Sequence, residues 1–126
     1  MPMPLIARPW LIAVLFGLLA LSPAHAGMTP QEVIWFKDAK AWAEKGEAEG
    51  QKSLGICYYK GEGVAKDFVQ AAAWFRKAAD QGFAGAQILL GNCYFDGVGV
   101  PKDQALAASW YRKAADQGDT GAQYSL

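Results

Sequence analysis

Two hydrophobic patterns divide this chain. Residues 10–21, WLIAVLFGLLAL, are apolar without a break. From Thr29 onward, apolar side chains instead return every three or four positions among charged ones, which is the spacing of one helix face. Leu54, Cys57 and Tyr58 follow that spacing, as do Ala71, Trp74 and Ala78, and again Ala107, Trp110 and Ala114. The helix ends are also written in the sequence. Thr29-Pro30-Gln31-Glu32 is a capping box with proline at the first helical position, predicting a helix to about Lys45 that Gly46 stops. A second helix is predicted over 47–60, ending at Gly61. After the turn Gly61-Glu62-Gly63-Val64, Asp67 caps a third helix, which Gly82 closes by taking the left-handed conformation. The same design then recurs, with a helix over 83–96, a turn over 97–101, a cap at Asp103, a helix to Gln117 and a stop at Gly118.

The recurrence is literal. WFRKAADQG at 74–82 returns as WYRKAADQG at 110–118, and laying 51–86 over 87–122 leaves most positions identical. Leu54 pairs with Leu90, Gly55 with Gly91, Cys57 with Cys93, Tyr58 with Tyr94, Gly61 with Gly97, Gly63 with Gly99, Asp67 with Asp103, Trp74 with Trp110 and Gly82 with Gly118. A period of 36 residues holding one helix pair is the mark of a repeat array, in which each pair buries a face against the next. The buried face of the second helix is expected to centre on Trp74 and Trp110, with alanines admitting the neighbouring backbone and Arg76, Lys77 and Asp80 left in water.

The pattern L-G-x-x-Y-x-x-G-x-G-V-x-x-D-x-x-x-A-x-x-W-[YF]-R-K-A-A-x-Q-G resembles the Sel1-like repeat, an α/α solenoid unit similar in shape to the tetratricopeptide repeat. The resemblance implies an all-α fold with repeats at 47–82 and 83–118. The helix over 27–46 would be the second half of a degenerate preceding unit, and 119–126 the start of a third. Leu126 aligns with Leu54 and Leu90, so the sequence stops partway through a helix of that third unit. A fragment, a truncated reading frame and an open end covered by a partner or a second copy all fit. Cysteine-rich relatives staple each repeat with two cysteines. This chain has one per repeat, and two equivalent positions on helices about 8–10 Å apart exceed the roughly 7 Å reach of a disulfide. Cys57 and Cys93 are therefore expected as buried core thiols.

Composition narrows the chemistry. Arg8, the apolar run and Ala24-His25-Ala26 before Gly27 read as a cleaved secretory signal peptide over 1–26, since a membrane span needs roughly 20 apolar residues. The mature chain is then periplasmic or secreted and has no membrane span. Residues 1–26 hold one charged side chain, Arg8, so the rest carries 11 basic and 12 acidic groups, too even a balance for nucleic acid. The chain's single histidine, His25, lies in the leader, which leaves no histidine for a catalytic triad or a metal. The Gly-x-Gly-Val turns are not phosphate loops, because no strand precedes them and Asp67 and Asp103 occupy the helix starts. No cofactor is expected.

What varies between the repeats is the best guide to binding. The pairs Lys52/Ile88, Ser53/Leu89, Ile56/Asn92, Tyr59/Phe95 and Lys60/Asp96 avoid the Leu-Gly-Tyr stripe of the first helix, which in such solenoids lines the concave surface, and all but Ser53 and Leu89 are the candidate binding positions. Tyr59 and Phe95 are the anchor candidates, unless they only pack against the turns. The resemblance implies a non-catalytic protein-interaction module, an adaptor or regulator of the bacterial cell envelope. Two alternatives are a peptidoglycan or glycan binder stacking on those rings, and a β-lactam-binding or hydrolysing enzyme. Neither Ser53-Leu54-Gly55-Ile56 nor Ser109-Trp110-Tyr111-Arg112 supplies the Ser-x-x-Lys that the enzyme needs.

Overall fold

The computed structural model describes residues 27–118; the expected signal peptide over 1–26 and the expected third unit over 119–126 lie outside the described residues. Five helices follow in order: α1 Pro30–Glu44, α2 Ala48–Lys60, α3 Phe68–Asp80, α4 Ala84–Asp96 and α5 Gln104–Asp116. There is no strand among the described residues. Each helix packs on the next in the chain, giving an all-α stack. The caps act where the sequence puts them. Thr29 Oγ1 accepts from the Glu32 amide at 3.2 Å while the Glu32 carboxylate accepts from the Thr29 amide at 2.6 Å. Asp67 and Asp103 accept from the amides of Gln70 and Leu106, each at 3.0 Å. Gly61 and Gly97 close α2 and α4 in the left-handed conformation, with φ of 74° and 70°.

One expectation is displaced by a residue. Trp74 is only half-buried, and the large side chain buried on α3 is its neighbour Phe75, 2% exposed. The cause lies on the facing helix. A Cβ built on Gly55 would stand 2.6 Å from the Phe75 ring, and one on Gly91 would stand 2.6 Å from Tyr111. Each repeat therefore seats the aromatic after the tryptophan in a glycine socket of its own first helix. Trp74 shifts to the edge, where the Lys77 ammonium lies 4.1 Å from its ring. Trp110 stays inside, 7% exposed, beside an equally buried Tyr111. Arg76 is exposed as expected, yet it also donates to the Tyr94 hydroxyl.

Polar contacts repeat with the same period. The Gln51 amide donates to the Ala43 carbonyl and that of Gln87 to the Ala79 carbonyl, at 3.5 and 3.2 Å. In turn the oxygens of Gln51 and Gln87 accept from Gln81 and Gln117 at 2.7 and 2.8 Å. These buried glutamines tie each first helix both to the helix before it and to the end of its own partner helix. The turns also interlock. Gly63 lies against the Glu32 carbonyl and Gly99 against the Phe68 carbonyl, so closely that a Cβ on either would overlap backbone.

The glycine socket is directly testable. Gly55→Ala forces a methyl group against Phe75 and is expected to cost about 1–3 kcal/mol, the range for overpacking. Gly85→Ala, also helical but 3.4 Å from its nearest neighbour, should be neutral or slightly stabilising. Thermal melts of the two variants followed by circular dichroism check the contrast.

Candidate protein-docking groove

The first helices of the two repeats, α2 and α4, stand side by side with α3 behind them. A cavity of about 320 Å³ opens between them. Ile56, Tyr59 and Lys60 line it from α2, and Leu89, Asn92, Cys93 and Asp96 line it from α4. Phe75 forms its floor and Val98 one end. Five of the eight candidate binding positions thus meet around one opening, with the divergent Leu89 beside them.

The other three are placed elsewhere. Lys52 bridges the repeats, with its ammonium 3.2 Å from Glu49 and 5.3 Å from the centre of the Phe83 ring. Ile88 is half-buried against the core. Phe95 is 47% exposed and does not line the cavity. Its counterpart Tyr59 does both things considered for it, lining the cavity while tilting against the Phe68 ring at 5.2 Å. Phe95 has no equivalent ring beside it because Gln104 replaces Phe68 in the second repeat. Leu89 is marked by its divergence from Ser53, whereas Phe75, Cys93 and Val98 escaped the sequence reading. Phe75 and Cys93 belong to motif positions read as packing, and Val98 sits in a turn.

A coupled exchange distinguishes the two sides. Behind Ile56 stands Phe75, whereas behind the equivalent Asn92 stands Tyr111, whose hydroxyl donates to the Asn92 carboxamide oxygen. Where the second helix gains a hydroxyl, the first gains a partner for it. At this level one wall of the groove therefore presents the apolar Ile56 and the other an oriented amide.

The two cysteines are unpaired and buried, Cys57 fully and Cys93 all but 3%. Burial pushes each thiol from 9.0 up to about 11, with Glu62 adding to the rise at Cys57 and Asp96 at Cys93. A thiol so held is a poor nucleophile at neutral pH. Among the described residues no cluster of three or more His, Cys, Asp or Glu is arranged to hold a metal, and no helix is long and apolar enough to cross a membrane.

The Sel1 repeat family model matches residues 48–83 and 84–119, more than half of the chain. The chain belongs to the Sel1 repeat family. Sel1 repeat proteins are in general protein-interaction modules and non-catalytic scaffolds. Over 64 residues this Sel1 chain is 41% identical to the secretory immunoglobulin A-binding protein EsiB of Escherichia coli O6:H1, a match covering 51% of the chain and 12% of EsiB. Among solved structures it is similar to c5321, a protective antigen of uropathogenic Escherichia coli with the same fold (TM-score 0.70, 46% identity, covering 72% of this chain and 20% of that one). A Sel1 repeat protein from Oxalobacter formigenes superposes with a TM-score of 0.68 at 43% identity, covering 70% of this chain and 66% of that one. Helicobacter pylori cysteine-rich protein B does so at 0.69 and 28%, covering 72% and 68%. The chain spans only a small part of EsiB and of c5321.

Two predictions follow from this geometry. Tyr111→Phe and Asn92→Ile each break the hydroxyl–amide pair, while the double variant rebuilds the Phe75–Ile56 arrangement. Chemical denaturation of all four proteins should give a coupling of about 0.5–1.5 kcal/mol, so that the double variant loses less than the singles sum to. The raised thiols set a pH dependence. Between pH 9 and 11 the unfolded chain releases thiol protons that the folded chain keeps, so stability falls as pH rises through that window. Melting temperatures from pH 8 to 11 should decline less steeply in Cys57→Ala/Cys93→Ala than in the natural chain.

Proposed function

We propose that this chain is a non-catalytic adaptor or regulator of the bacterial cell envelope that binds a protein partner through the groove between α2 and α4. The observation that carries this reading is the convergence of the divergent positions Ile56, Tyr59, Lys60, Asn92 and Asp96 on one cavity, while the positions shared by the repeats form the core. The apolar lining with an aromatic and charges at its rim is the composition of a protein hot spot. The family's general role supports the reading, as does the named activity of EsiB, which is itself a contact between proteins. The leader-like residues 1–26 favour export and thus an envelope or secreted partner.

Immobilised full-length protein should retain a protein from envelope extract or purified secretory immunoglobulin A in preference to purified peptidoglycan. Tyr59→Ala, checked for unchanged helical signal, should reduce capture at least several-fold, and Phe95→Ala much less. Retention of peptidoglycan alone, or equal loss in both variants, would move the site away from this groove.

A further inference from the structure

We propose that the α2–α4 groove takes an extended segment of its protein partner, with one apolar side chain in the cavity, an acidic side chain toward Lys60 and a basic one toward Asp96. This deepens the proposed function and rests on it. The cavity comes first. At about 320 Å³ it has room for even a bulky apolar side chain. Its apolar walls, Ile56, Tyr59, Leu89 and Val98, match an apolar group, and the charged Lys60 and Asp96 stand at its edge.

The backbone of the visitor is specified by Asn92. With one lone pair of its oxygen taken by the Tyr111 hydroxyl, the Asn92 carboxamide keeps both N–H donors for a carbonyl of the visitor. An extended strand has carbonyls free to accept them, whereas the carbonyls of a helix are already used internally.

Charge then gives the segment its polarity. Lys60 and Asp96 are equivalent positions of opposite sign, the last residues of α2 and α4. Lys60 sits where a helix dipole favours a cation. Its only ion pair among the described residues is a loose, exposed one to Glu62 at 3.9 Å, easily exchanged for a partner's carboxylate. Asp96 is the reverse. A carboxylate at a helix C-terminus is locally unfavourable, and no ion pair involving Asp96 occurs among the described residues. An incoming lysine or arginine would relieve it.

A library of random linear dodecapeptides displayed on phage, selected on the immobilised full-length protein, tests this. The expected consensus is an apolar residue with an acid on one side and a base on the other. Lys60→Glu and Asp96→Lys should each weaken a consensus peptide about tenfold, and the double variant should prefer the peptide with its two charges exchanged. Asp96→Lys should fold at least as stably as the natural chain, so its loss of binding would not be a loss of structure. A consensus without ordered charges, indifference to both substitutions, or no enriched peptide overturns the proposal. If that happens while envelope proteins are still captured through Tyr59, the broader reading stands and this one fails. Concentration-dependent dimerisation abolished by Asp96→Lys would instead make a second copy the occupant and would likewise overturn it.

Discussion

Helix pairs in this chain approach as closely as they do because a ring on one helix rests where the other has no side chain. Gly55 under Phe75 and Gly91 under Tyr111 bring the two helices of each repeat together, and everything else is arranged around those two contacts. Burying one such ring is worth about 1.5–3 kcal/mol, a large share for a domain of this size. The socket also decides which face of α3 and α5 is inside, and so which residues of α2 and α4 are left to face the groove. Phe75 is at once the wedge of the first repeat and the floor of the cavity.

Much of this was legible in the sequence. Caps at Thr29, Asp67 and Asp103 and the left-handed glycines mark helix ends by local chemistry, so helix limits agree with the structure to within a residue or two. The period of 36 and its motif identify the family because identical packing surfaces demand identical residues. The face of α3 was read one residue off, toward Trp74. A tryptophan in an apolar stripe signals volume, but which of two adjacent aromatics turns inward depends on the glycine across from it, a tertiary fact. Gln51 and Gln87 likewise carry an identity at the repeat spacing, yet a polar residue at that position gives no hint of the carbonyl it will meet on the preceding helix.

Divergence between repeats located the groove only in part. It selects positions released from packing, and Ile56, Tyr59, Lys60, Asn92 and Asp96 are of that kind. Lys52 and Ile88 diverge for another reason, since each is absorbed into the contact between successive units in its own way. The exchange of Ile56 and Phe75 for Asn92 and Tyr111 is different again. It was visible as two separate substitutions, and becomes one event only when the hydroxyl is seen to reach the amide.

The glycines of the turns govern a property larger than any single repeat. Because Gly63 and Gly99 rest directly on the carbonyls of Glu32 and Phe68, the spacing from one unit to the next is set by main chain against main chain. Side chains on the groove can then be exchanged freely without altering the pitch of the stack. A duplicated unit that keeps these glycines keeps the same spacing, and only the lettering along the groove has to change.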